Sequence, residues 1–184
     1  LNLMKKGIPA SSILAITFTN KAAREMKDRV GMLLSEDKGL NRPISSNERP
    51  FISTFHALGV HIIRENASKL GLNKHFSIYD RSDSKRAIKE AMENCNIDPK
   101  KFDPNMILNL ISRAKGDGMN YIQYRDTAKG FMEEMTADIW EKYDIIMNKE
   151  KSLDFDDLLL KTAQLLGNNS AIKVHYNNVW KYIH

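Results

Sequence analysis

Cysteine is nearly missing from this sequence: Cys95 is the one thiol among 184 residues. That excludes a disulfide framework and a cysteine-rich zinc site, and leaves the expectation of a buried intracellular thiol on a helix face. No apolar run approaches the roughly 20 residues that a membrane span needs. The opening Leu-Asn-Leu-Met-Lys-Lys-Gly-Ile-Pro lacks the apolar core and cleavage site of a signal peptide. The expected compartment is the cytoplasm, with no membrane partner. Nine Gly and five Pro exclude collagen-like and low-complexity chains, and no internal repeat is present. Histidines are sparse and badly spaced for a metal. His56 and His61 stand five apart rather than four, and His175 and His184 are isolated. No G-x-x-x-x-G-K-[ST] phosphate loop, G-x-G-x-x-G turn or nucleophile elbow occurs, so no complete catalytic centre is expected.

What is present is an ordinary globular composition, 42% hydrophobic and 28% charged. It is long enough for one domain, or for a domain with a second small lobe, around a real core. The net charge of +5 is unevenly spread. Residues 1–66 and 67–130 each carry an excess of four bases, whereas 131–184 carries an excess of three acids. Two basic thirds suit an anionic partner, although a solvated surface with chance asymmetry would look the same.

Ile13-Leu-Ala-Ile-Thr-Phe18 is nearly continuous in apolar residues, the pattern of a buried parallel strand. Ala22, Ala23, Met26, Val30, Leu33 and Leu34 follow at helical spacing, with Asn20, beside Thr19, as the expected N-cap. Glu36 to Pro50 reads as a loop. Phe51-Ile-Ser-Thr-Phe55 reads as a second strand, followed by a helix through Leu58, Ile62 and Ile63 to about Asn66. Two strand-to-helix junctions predict an open α/β sheet, in which ligands sit beyond the carboxyl ends of the strands.

From Ala67 the pattern turns almost wholly helical. Asp83 is the expected cap for Ala87, Ile88, Ala91, Met92 and Cys95. Asp103-Pro104 opens a helix carrying Met106, Ile107, Leu110, Ile111 and Ala114, ended by Gly116-Asp-Gly118. Thr127 is expected to open a long helix with the packing stripe Phe131, Met135, Ile139, Trp140, Tyr143, Ile146 and Met147. Asp154 caps a helix stopped by Gly167-Asn-Asn169. A short helix and an incipient strand at Val179-Trp-Lys-Tyr-Ile-His184 complete the chain.

Three places invite chemistry. Thr17-Phe-Thr-Asn-Lys21 gathers two hydroxyls, an amide, an ammonium and a ring at a helix start, where free amides and the positive helix end attract phosphate. Phe18 or Phe55 at a strand tip offers a face for a base. A capped helix with Phe18 in the core explains the same residues. Asp154-Phe-Asp-Asp157 has the acids for a Mg²⁺ site, but acids opening a helix also serve as caps, which is the favoured reading.

Ile13-Leu-Ala-Ile-Thr-Phe-Thr-Asn-Lys-Ala-Ala-Arg-Glu-Met26 resembles motif Ia of the UvrD/Rep/PcrA-type superfamily 1 DNA helicases. Ile52-Ser-Thr-Phe-His-Ala57 is similar to the next motif, usually Thr-Phe-His-Ser, with Ala57 in place of the serine. Leu153-Asp-Phe-Asp-Asp-Leu-Leu159 resembles a third segment, and Tyr182-Ile-His184 the approach to the Asp-Glu box. The order and spacing agree along the whole chain.

The resemblance implies an α/β, predominantly helical fold: part of a P-loop NTPase (RecA-like) parallel sheet with an inserted all-α lobe. Residues 1–66 and 153–184 would belong to motor lobe 1A and 67–152 to helical lobe 1B. It implies single-stranded DNA contacts at Thr17, Phe18, Thr19, Asn20, Lys21, Thr54, Phe55 and His56, and a duplex-facing role for Lys115. The parent would be an ATP-dependent 3′→5′ DNA helicase of repair or replication. It would use ATP and Mg²⁺ at a phosphate loop before Leu1 and an Asp-Glu box after His184, so no nucleotide is expected on this chain alone. Its partners would be single-stranded DNA, the single-strand/duplex junction and the remaining helicase lobes. The alternatives are a nucleic-acid-binding or interaction module without a motor, and part of a helicase–nuclease subunit.

Overall fold

In a computed structural model of the chain, residues 2–36 and 49–184 are described. Most of the loop expected between Glu36 and Pro50 lies outside them. The fold is α/β and predominantly helical, with two small parallel sheets. The chain divides into two compact units, Leu1–His61 with Ala163–His184, and Ile62–Thr162.

In the first unit a short helix α1 (Asn2–Lys5) precedes strand β1 (Ile13–Thr17), which runs into helix α2 (Asn20–Glu36). Strand β2 (Phe51–Thr54) runs directly into helix α3 (Phe55–Glu65). The sheet order is β2-β1-β5, where β5 (Tyr182–Ile183) supplies a third strand at the chain's end. All pairings are parallel. The apolar run of β1 is buried at Ile13, Leu14 and Ala15, as a strand covered on both faces requires. Phe51, His61, Tyr176 and Trp180 form an aromatic cluster beside the sheet, with Tyr176 and Trp180 stacked at 12°.

The second unit contains strand β3 (Ser77–Tyr79) and helices α4 (Arg81–Asn94), α5 (Pro104–Gly116), α6 (Tyr121–Thr127) and α7 (Phe131–Lys149). Strand β4 (Ser152–Asp154) pairs parallel with β3 and runs into helix α8 (Phe155–Asn168). Helix α9 (Ser170–Val179) lies in the first unit. The core of the second unit is built from the predicted stripes, with Ile88, Met92, Ile107, Ile111, Ile139 and Tyr143 essentially inaccessible.

Several local expectations need correction. Thr19, not Asn20, caps α2: its Oγ1 accepts from the Ala22 amide at 3.1 Å. Phe55 opens α3 rather than ending β2, because the Thr54 hydroxyl already accepts from the Ala57 amide. Asp80 caps α4, and Asp83 is the reciprocal partner of that capping box. Asn120 and Gln123 form another box that starts α6, so Thr127 closes a short helix instead of opening a long one. Helix α7 begins only after extended Gly130. The β3–β4 pair falls where the sequence pattern is helical, since three-residue strands carry too little pattern to register. Cys95 is half-buried at the end of α4, and Phe131 is 69% exposed rather than packed in its stripe.

This division between core and surface yields a stability contrast. Ile88→Ala should cost about 2–5 kcal/mol through the lost burial and the cavity left behind. Phe131→Ala should cost less than about 0.5 kcal/mol. Urea denaturation midpoints of the two variants check this directly.

Candidate nucleic-acid interface

The parallel register pairs Thr17 with Thr54, so β1 and β2 end side by side. Whatever follows each strand therefore emerges at the same edge. Phe18 and Phe55 stand there with ring centroids 5.3 Å apart and planes tilted by 40°. Phe18 is 87% exposed and Phe55 42%, which removes the reading of Phe18 as a core residue. Leaving Phe18 almost wholly in water forfeits burial energy of order 1.5–3 kcal/mol, and Phe55, less than half exposed, forfeits a smaller part.

Both helices begin at this edge, and both are capped by threonine. Thr19 Oγ1 accepts from Ala22 N at 3.1 Å, and Thr54 Oγ1 from Ala57 N at 3.3 Å. A hydroxyl that accepts in this way keeps its own proton for a second partner. Thr19 is exposed, whereas Thr54 is buried. Thr17 and His56 are half-buried beside them, and Asn20 is exposed. Lys21 lies on the surface, with Glu25 at a loose 3.9 Å. An exposed pair at that distance leaves the ammonium essentially available. Arg24 and Lys27, which do not figure among the expected contacts, extend the cation row at three-residue spacing and are also exposed. That spacing was legible. Eight of the nine expected DNA contacts thus gather around two adjacent strand ends and helix starts in one unit.

Lys115 is the ninth and does not join them. It is 3% exposed in the second unit. Its Nζ lies 2.7 Å from Asp154 Oδ2 and 2.9 Å from Asp157 Oδ1. The Tyr143 hydroxyl donates to Asp154 Oδ2 at 2.9 Å. Burial alone would push the ammonium pKa down, but Asp157 and Asp154 outweigh it and hold the value above its ordinary one. Burial opposes the charge on Asp154, yet Lys115 keeps that carboxyl below its usual range. A buried ammonium paired with two carboxylates is inaccessible to a phosphate, so this structure does not place Lys115 on a duplex-facing surface. The signal was available: Lys115 continues the stripe of Ile107, Leu108 and Ile111 at helical spacing.

The same cluster settles the Asp154-Phe-Asp-Asp157 segment. Asp154 caps α8, accepting from Asp157 N at 2.8 Å, while Asp157 Oδ2 accepts from Asp154 N at 3.3 Å. The lysine ammonium stands where a cation would. Among the described residues no group of His, Cys, Asp and Glu is arranged to hold a metal. Also among the described residues, no helix is long and apolar enough to cross a membrane.

Two substitutions test this cluster. Lys115→Met strands two buried carboxylates and should cost about 3–5 kcal/mol. It should leave the salt dependence of single-stranded DNA binding unchanged. Asp144, close by, is pushed by burial up to about 6, with Lys115 opposing. A carboxyl raised in the folded state favours folding at low pH and loses that contribution as pH rises through about 6. Asp144→Asn should therefore gain roughly 1–3 kcal/mol on the native protein between about pH 4 and 7, read from urea unfolding across that range.

The model of the UvrD/REP helicase N-terminal domain matches residues 1–184. The chain is 37% identical over 182 residues to the "ATP-dependent DNA helicase PcrA" of Bacillus subtilis (strain 168), covering 99% of the chain and 23% of that protein. It is 38% identical over 172 residues to the protein of the same name from Leuconostoc citreum, covering 94% of the chain and 22% of the relative. With that of Staphylococcus aureus (strain Mu50 / ATCC 700699) it shares 36% over 182 residues, 99% of the chain and 24% of the relative. The chain spans about a quarter of the length of these relatives. It belongs to the UvrD/REP helicase N-terminal domain family.

Proposed function

We propose that this chain is the strand-gripping part of an ATP-dependent 3′→5′ DNA helicase, and that the shared edge of β1 and β2 holds single-stranded DNA. The observation that carries the reading is the Phe18–Phe55 pair, exposed beside two helix N-termini. Single-strand binding combines aromatic faces, on which bases of any sequence stack, with donors and cations that follow the phosphates. This edge carries both. The rings offer the stacking surface. The α2 first-turn amides, the Thr19 hydroxyl and Lys21 offer donors and positive charge to a phosphate. Ala57, at the third position of α3, gives its amide to Thr54 and lacks the hydroxyl that the motif usually adds, so this grip has one donor fewer.

On this reading residues 1–66 and 153–184 belong to a RecA-like P-loop lobe, 1A, and residues 67–152 to an inserted helical lobe, 1B; these bounds follow the family resemblance and differ from the compact units, which change at 61/62 and 162/163. In the parent, hydrolysis of Mg²⁺-bound ATP would supply the energy that moves the strand. The chain's own residues bind and orient that strand. The partners are single-stranded DNA, its junction with duplex and the remaining lobes, in a cytoplasmic setting.

Two variants of the full-length helicase separate the charged from the stacking contribution. Lys21→Ala should flatten the log–log salt dependence of single-stranded DNA affinity by about 0.7 for each phosphate that is no longer neutralised. Phe18→Ala should weaken binding by roughly 1–3 kcal/mol at every salt concentration and leave the slope unchanged. Unaltered affinity in both variants would refute the grip.

A further inference from the structure

In the second unit, the loop after α4 and the N-terminal half of α7 enclose a cleft of about 450 Å³. Its apolar lining is Ile97, Phe102, Phe131 and Met135. Phe131 is 69% exposed, its ring centroid 6.1 Å from that of Phe102. Three of the four charged residues lining the cleft are acids, Asp98, Glu134 and Asp138, against Lys101 alone. Phe131, Glu134, Met135 and Asp138 follow one another at helical spacing, so α7 turns a mixed aromatic and acidic stripe towards the cleft.

Each acid has a local use that must be weighed first. Glu134 favours the positive end of α7, Asp98 accepts from the Lys100 amide, and Asp138 pairs with Arg125. These uses leave the cleft negative. The Asp138–Arg125 pair is exposed on both sides and weakly held. Glu134 has no ion pair and no side-chain hydrogen bond among the described residues. Cys95, in the wall, registers the balance: burial, then Asp138 and Glu141, raise its thiol pKa against the opposing pull of Lys142. The thiol is thus neutral and adds to the apolar lining.

Aromatic and aliphatic side chains lining one cleft with carboxylates suit a side chain with an apolar stem and a cationic head. Such a lining repels a phosphate chain. We propose that this cleft docks a short segment of a partner protein bearing lysine or arginine next to apolar residues. The site is separate from the proposed DNA grip in chemistry and in sequence, and it does not depend on that reading.

The test is fluorescence anisotropy of the intact protein with two labelled hexapeptides, leucine alternating with lysine or with glutamate. The protein's net charge of +5 disfavours the lysine peptide in general, so a preference for it must be local. The lysine peptide should bind at least about tenfold more tightly. Phe131→Ala should weaken it about three- to tenfold, and Glu134→Gln about threefold. Both residues lie at the surface, and thermal melts should confirm that the variants fold. Overturning results are equal binding of the two peptides, no binding of the lysine peptide at millimolar concentration, or lysine-peptide binding that neither substitution alters. Competition by single-stranded DNA that disappears in Phe131→Ala would also overturn the proposal, because it would make the cleft a nucleic-acid site.

Discussion

The in-register parallel pairing of β1 with β2 is the constraint on which the candidate interface depends. Pairing Leu14 with Phe51 and Thr17 with Thr54 makes both strands end at one level. A parallel arrangement also sends both following helices off from the same edge, so two helix N-termini coincide there. A slip of one residue would move every β2 side chain to the opposite face of the sheet, exchanging buried Ile52 with buried Ser53. Ile52, which is buried, would lose its place, and Thr54 would no longer stand beside Thr17. The hydrophobic pattern that fixes the register therefore also fixes the relation between Phe18 and Phe55.

The second unit answers the same local problem with different chemistry. At β4–α8, as at β2–α3, a strand gives way at once to a helix through a capping residue and a phenylalanine: Thr54-Phe55 in one case, Asp154-Phe155 in the other. A threonine cap can be buried with no charge to neutralise. An aspartate cap at a buried position needs a counter-ion, and Lys115 supplies it from α5. Removing one member of such a cluster is far more damaging than its net contribution suggests, because the partners remain buried and charged. The lysine in this chain thus holds α5 to the β4–α8 junction.

Much of this was legible in the sequence because period and punctuation were strong. The continuous run at Ile13–Thr17 marked a strand, the Ile88, Ile107 and Ile139 stripes marked the helical core, and Asp103-Pro104 marked a helix start that the structure reproduces. Junction details were less accessible. Thr19 and Asn20 are both good caps, as are Asp80 and Asp83, and only backbone geometry chooses between them. The fate of Phe18 could not be read either, since an apolar residue at a strand's end fits the core and the surface equally well. The buried stripe position of Lys115 was legible, but its pairing was not. Its acidic partners are 39 or more residues away in sequence, and a motif match carries no information about such a pairing.

If the joined ends of β1 and β2 hold a nucleic-acid strand through Phe18 and Phe55, those rings must lie against its bases. Photocross-linking reads that proximity directly, using a single-stranded oligonucleotide that carries 5-iodouracil and mapping the adducts by mass spectrometry. Adducts are expected on Phe18 or Phe55, and they should be lost when unlabelled single-stranded DNA competes. Adducts confined to residues 62–162, with none on either phenylalanine, would contradict the grip.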